Sequence, residues 1–175
     1  MREIKFRAWS NKYQHMFRVS EISQDRSGYT HGIVDAEFKN EFEPEFDSPF
    51  AWIGRVDFKK SSDGRVAALD QNPDDEPFYL MQYTGLKDKN GREIYEGDII
   101  VYEIDNGIGV ERYCGKVFWS ENEGEYKTCF GWLIEYVNTV GFDGLSRAAT
   151  YNDELEVIGN IYEDPQLLEA SHASK

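Results

Sequence analysis

The residues Asp88-Lys89-Asn90-Gly91 carry the types found in a calcium loop, with a carboxylate, an amide and a glycine within four positions. Placing Gly91 at the sixth position of such a loop puts Leu86 at the first and Gly97 at the twelfth. Both of those positions need an acid, so calcium is not expected. Tyr83-Thr84-Gly85 followed by Lys87 brings a hydroxyl, a glycine and a cation together. It lacks the Gly-x-x-x-x-Gly-Lys-Ser/Thr spacing that lets backbone amides cradle a phosphate. The segment reads better as turn chemistry. Gly85, Gly91 and Gly97 supply unusual φ, and Asp88 and Asp98 can accept hydrogen bonds from nearby backbone amides.

Nucleophilic catalysis needs a Ser or Cys beside a base and an orienting group. Cys114 and Cys129 lie in strand-like contexts, and His15, His31 and His172 are scattered outside any catalytic motif. The same five side chains form no four-ligand zinc pattern. The chain holds 33 Asp and Glu, but nothing singles out two of them as a hydrolytic pair. Tyr95, Tyr102, Trp119 and Trp132 could stack single-stranded bases as small barrels do, or pack a core. Core packing is the better account, because no run of Lys or Arg supplies the electropositive groove that stacking relies on. We expect no catalytic residue, no metal and no cofactor.

With 19 Lys and Arg against 33 acids, the 175-residue chain has a formal charge of -14. Such a chain is repelled by nucleic-acid phosphates and by anionic membranes, so neither is an expected partner. No stretch approaches the ~20 apolar residues of a membrane span. Met1 to Trp9 alternates charged with apolar residues, unlike a signal peptide. Two isolated thiols fit a reducing compartment. A cytoplasmic location is the expectation.

The elements that would position these residues are mostly strands. Glu3 to Trp9 alternates, with Ile4, Phe6 and Ala8 on one side, and Met16 to Val19 can return beside it after the Ser10-Asn11-Lys12 turn. Gly and Pro interrupt residues 24–77 repeatedly, which predicts few long elements there. Within that stretch Asp35 to Asp47 holds six acids and one Lys, with Phe38, Phe42 and Phe46 at spacing four. Such spacing suits one helical face, although Pro44 would break the helix. The segment reads either as a loop or short edge element whose rings tuck onto the fold, or as an acidic-aromatic surface for a basic partner. The candidate partner surface is Phe38, Glu41, Phe42, Glu43, Glu45 and Phe46.

The second half is richer in strand signals. Phe78 to Gln82, Ile99 to Tyr102, Gly115 to Trp119, Phe130 to Val137 and Leu155 to Tyr162 are expected strands. Asn90-Gly91 suggests a type I′ hairpin turn with both residues at positive φ, and Asn106-Gly107 marks another turn. Asp164-Pro165 followed by Leu167-Leu168 reads as the start of a short terminal helix, with Asp164 as its cap.

Three segments together resemble the YopX family. They are Arg2 to Trp9 (REIKFRAW), Met81 to Ile99 (MQYTGLKDKNGREIYEGDI) and Glu156 to Glu163 (EVIGNIYE). The resemblance implies a β-rich fold whose second half is similar to SH3-type barrels, and an origin in phages, prophages or other mobile elements. It implies no activity and carries no site residues. The chain is accordingly expected to be mainly β with short helices only. An N-terminal β-hairpin region at 1–80 would contain the 24–77 insert, an SH3-like barrel would span 81–163, and a short helical turn and tail would fill 164–175. The leading functional reading is a non-enzymatic protein-binding or assembly module, with a protein partner or a homo-oligomer. An acidic DNA mimic that occupies a host DNA-binding protein comes second, a small nucleic-acid-binding barrel third and an unrecognised hydrolase fourth.

Overall fold

The computed structural model describes residues 3–11, 14–24, 26, 30–38, 50–60, 66–69, 78–121, 129–151 and 153–169. At 24 and from 30 to 69 only the backbone is described. The chain divides into two units, Ile4–Gln82 and Tyr83–Lys175, the second including Met1–Glu3.

In the first unit, β1 (Phe6–Ser10) returns as β2 (His15–Gln24), paired from Phe6↔Val19 to Ser10↔His15. The hairpin at the N-terminus is therefore as the alternation predicts. Its burial is not a simple one-face pattern: Ala8, Trp9 and Ser10 are all buried, while Ile4 precedes the strand and is exposed. β1 is an interior strand, since it also pairs with the start of β6 (Phe78–Lys87), from Phe6↔Gln82 to Ser10↔Phe78. Phe17 from β2 meets Phe78 edge to face at 5.1 Å, an arrangement that suits the quadrupoles of the two rings.

The interrupted region contains longer strands than its glycines and prolines suggest. β3 (Thr30–Phe38) and β4 (Phe50–Lys60) pair along nine positions, from Thr30↔Phe58 to Phe38↔Phe50. Gly32 lies opposite Val56 and Gly54 opposite Val34, so both glycines sit inside the ladder. A glycine weakens a strand without ending it, and pairing on both sides outweighs that cost. The helical reading of the three-Phe spacing fails at its first member, because Asp35 to Phe38 is strand. β5 (Val66–Leu69) follows, pairs with β4 and meets β6 at the single pair Ala67↔Tyr79.

In the second unit the later half of β6 pairs with β7 (Glu93–Tyr95). β8 (Asp98–Asp105), β9 (Val110–Glu121), β10 (Phe130–Tyr136) and β11 (Phe142–Gly144) form an antiparallel meander. β12 (Glu156–Asn160) joins on the far side of β8, giving the order β11-β10-β9-β8-β12. No pairing among the described residues joins β11 to β12, so this sheet does not close and the ladder does not confirm the expected SH3-like barrel. The reason lies in the link between those two strands. It folds as α1 (Leu145–Tyr151), whose Leu145 and Ala148 are buried against Ile100, Tyr102, Val117, Trp132, Ile134 and Val157. Ile94 of β7 completes this core, so a helix and a hairpin cover the face that closing strands would cover. A second short helix, α2 (Gln166–Glu169), lies near the C-terminus. Among the described residues no helix is long and apolar enough to cross a membrane.

Gly115 shows how closely β9 and β10 approach. A Cβ there would lie 2.5 Å from Ile134 Cγ2 and 2.6 Å from the Glu135 carbonyl oxygen, and the latter is ladder backbone that cannot swing aside. Gly109 has nothing within 4 Å of its virtual Cβ. Gly115→Ala should therefore destabilise the protein by about 1–3 kcal/mol through overpacking. Gly109→Ala should stay within about 0.5 kcal/mol of the parent, as ordinary surface changes do. Urea unfolding of the two variants checks this, and equal midpoints would contradict it.

Candidate functional site

The polar residues of the 81–99 segment are held in place by backbone. Asp88 ends β6's pairing and is buried, and its Oδ1 accepts from Asn90 N at 2.8 Å and Arg92 N at 2.9 Å. Its Oδ2 accepts from the buried amide of Val157 at 3.1 Å, which ties the hairpin loop to β12. Lys89 N donates to the Leu155 carbonyl at 2.9 Å beside that link. One carboxylate thus serves three backbone donors.

The loop differs from the expected type I′ turn. Gly91 N bonds the Asp88 carbonyl, Asp88 N bonds the Arg92 carbonyl, and Gly91 takes φ +79°. Asn90 is not among the positive-φ residues, so this is a three-residue loop closed by a left-handed glycine. The acceptor on Asp88 makes the difference: it captures the Asn90 amide and sets the loop from its first residue. A similar logic operates at the next turn, where the fully buried Asp98 accepts from Tyr95 N at 2.7 Å and Gly97 sits at φ +78°. In the 156–163 segment Asn160 is fully buried, and its Oδ1 accepts from Tyr162 N and Glu163 N. Asp164 turns back to accept from Asn160 N at 3.2 Å rather than capping α2 as expected, and it fills the space beside Gly159 where a Cβ would collide with it.

Other singled-out residues fall as follows. Tyr102 and Trp132 are buried in the core, and Tyr95 and Trp119 are half-buried. Tyr102 and Tyr136 share a 2.6 Å hydroxyl contact, and burial pushes the pKa of both phenols up. Cys114 and Cys129 are half-buried and form no disulfide. Burial raises the Cys114 pKa against the opposing pull of Arg112, which keeps its thiol protonated at neutral pH and weak as a nucleophile. His15 packs edge to face on Phe17 at 5.2 Å. Among the described residues no group of three or more His, Cys, Asp or Glu could hold a metal. Of the candidate partner surface, Phe38 ends β3, while Glu41, Phe42, Glu43, Glu45 and Phe46 lie outside the described residues.

The structure assembles a depression of about 340 Å³ that the spacing of residues did not reveal, lined by Lys89, Val101, Tyr102, Glu103, Arg112, Glu154 and Glu156. Cross-strand pairing puts Glu156 opposite Val101 and Glu103 opposite Arg112. The Lys89 ammonium lies 2.9 Å from Glu156 and 3.3 Å from Glu154, and these two partners, Glu156 first, raise its pKa. The signal that places these residues together is the register of β12 on β8, which shifts between Val157 and Gly159. No local pattern encodes that shift.

With this interlock of the 81–99 and 156–163 segments in view, comparison with known proteins becomes informative. The YopX protein family matches residues 5–169, nearly the whole length. The chain belongs to the YopX family. It is also similar to the crystal structure of protein EF1440 from Enterococcus faecalis, at 28% identity and a TM-score of 0.52, covering 96% of this chain and 99% of that one. No curated protein matches. Two of the three YopX-type segments quoted above, 81–99 and 156–163, are thus the ones that Asp88, Lys89 and Gly97 tie together.

Asp88→Ala would strand three amides, one of them buried, and each such loss costs about 1–3 kcal/mol when water cannot replace the acceptor. We expect a total loss of roughly 2–4 kcal/mol, since the loop amides can rehydrate while Val157 N cannot. Asp88→Asn retains one oxygen acceptor and should lose less. Denaturant midpoints measure both, and an Ala variant as stable as the parent would refute this role.

Proposed function

We propose that this YopX-family chain is a non-enzymatic protein-binding or assembly module of a phage or prophage, acting in the cytoplasm of its host on a basic protein. The observation that carries the reading is the β8–β9 hairpin. Its tip displays Ile108 at 97% exposure and Val110 at 63%, with Ile104 at 37% behind them. Glu103, Asp105 and Glu111 surround these apolar residues. The tip is also ordered by its own bonds: Gly107 N to Asp105 Oδ1 at 2.8 Å, and Ile108 N and Gly109 N to Asn106 Oδ1, both at 3.0 Å. A pre-organised apolar point in an acidic frame costs little entropy to dock. The same features suit a partner that presents an apolar pocket with cations at its rim.

The formal charge of -14 also supports a second reading, an acidic DNA mimic that occupies a host DNA-binding protein. Both readings predict a basic protein partner and no direct binding of DNA. The acidic segment with Phe38, Glu41, Phe42, Glu43, Glu45 and Phe46 belongs to the same proposal as a further contact surface. A homo-oligomer is the remaining form of partner, and sedimentation equilibrium tests it.

A mobility-shift assay should show no binding of single- or double-stranded DNA near physiological salt, because phosphate neutralisation needs cations and 33 acids outnumber the 19 Lys and Arg of the chain. Capture of a basic partner from host lysate should fall as salt rises. Replacing Ile108 with Ser, or Glu41, Glu43 and Glu45 with Gln, should weaken that capture at an unchanged thermal midpoint. Tight DNA binding by the purified chain would overturn the proposal.

A further inference from the structure

We propose that the outer edge of β8 from Tyr102 to Asp105 is a docking edge for an extended basic segment of a protein partner, which adds to the sheet in line with β12. The inference rests on the protein-binding reading above and names the surface that performs it.

β12 covers β8 only from Asp98↔Asn160 to Val101↔Glu156. β8 itself continues to Asp105, paired on its other side with β9 through Asp105↔Val110. Along Tyr102 to Asp105 the edge away from β9 has no partner strand among the described residues. In an antiparallel ladder every second residue turns its N–H and C=O to that side, so this edge offers donors and acceptors ready for a strand. The depression lined by Lys89, Glu103, Arg112, Glu154 and Glu156 lies where β12 leaves β8, beside the open edge. Open ladder groups and an adjoining recess are what strand addition requires: backbone bonds give affinity and side-chain recesses give selectivity.

Charge selects the occupant. Along and beside the edge stand Glu103, Asp105, Glu111, Glu154 and Glu156. Among the described residues two cations stand near them. Lys89 is already bridged to Glu154 and Glu156, and Arg112 lies across the ladder from Glu103. An incoming strand that alternates cations with apolar residues would set its cations toward the carboxylates and an apolar side chain toward the part-exposed Ile104. A second copy of this chain fits worse. Pairing two β8 edges would bring Glu103 and Asp105 of each copy together, and like charges facing across strands are destabilising.

The test uses the full chain and two fluorescein-labelled eight-residue peptides of alternating Lys and Val, one unmodified and one N-methylated at every amide. Side chains and charge are the same, but the methylated peptide cannot donate ladder bonds. We expect the unmodified peptide to bind at least tenfold more tightly by fluorescence anisotropy, with amide NMR shifts concentrated at 102–105. Glu103→Gln, which sets no cation opposite Arg112, should weaken it several-fold without changing the thermal midpoint. Equal binding of the two peptides would overturn the docking edge while leaving a basic partner in place. Failure of both to bind would overturn the edge and the basic-partner reading together. Shifts centred elsewhere, or dimerisation that protects the 102–105 amides, would overturn the edge as a site for a basic segment.

Discussion

The second unit depends on a single buried carboxylate. A β-hairpin loop and a strand nearly seventy residues later must meet with their backbone donors satisfied, and Asp88 is the acceptor that both share. An ionised carboxylate offers about four lone-pair sites, enough for three amides at once. Removing it leaves the Val157 amide without its acceptor in a place closed to water, which is why such a residue outweighs its size. The Lys89 amide on Leu155 and the Ile161 amide on Gly97 repeat the connection on either side. Together they fix β12 beside β8, and that placement determines where β8 is covered and where it is open.

An economy of chemistry follows from this. Residues with the most reactive or ligating character in the family-like segments serve the backbone: Asp88 at the loop, Asp98 at the next turn, Asn160 at the turn after β12. Three amides already engage the lone pairs of the Asp88 carboxylate, which leaves few for a further ligand. In the function proposed above, recognition falls to surfaces beside this interlock, namely the acidic β8–β9 hairpin and the edge of β8 beyond β12.

Much of this was legible in the sequence, for reasons that can be named. The first hairpin, the Asn106-Gly107 turn and the strands at β8 to β10 follow from period-two patterning and turn residues, which are local properties. Asp88 and Asp98 as backbone acceptors were legible for the same reason. The long β3–β4 ladder was not, because Gly32 and Gly54 suggest breaks that pairing overrides. α1 was hidden by its brevity: seven residues without an acidic first turn or basic last turn carry little periodic signal. The open sheet follows from α1 and was missed with it. The charged depression depends on cross-strand register, including a shift between Val157 and Gly159, and no neighbouring residues record it. Asn138 is a further example, since its side chain stands in for a strand neighbour by accepting from Cys114 N and donating to the Arg112 carbonyl.

The central claim is that the Asp88 carboxylate couples the hairpin loop to β12. Residue-resolved amide hydrogen exchange of the parent and of Asp88→Ala tests it most directly. The account predicts that Asn90, Arg92 and Val157 are protected in the parent and lose protection together in the variant, while the β9–β10 ladder at Val117 and Ile134 keeps most of its own. Unchanged protection of the Val157 amide in the variant would contradict it.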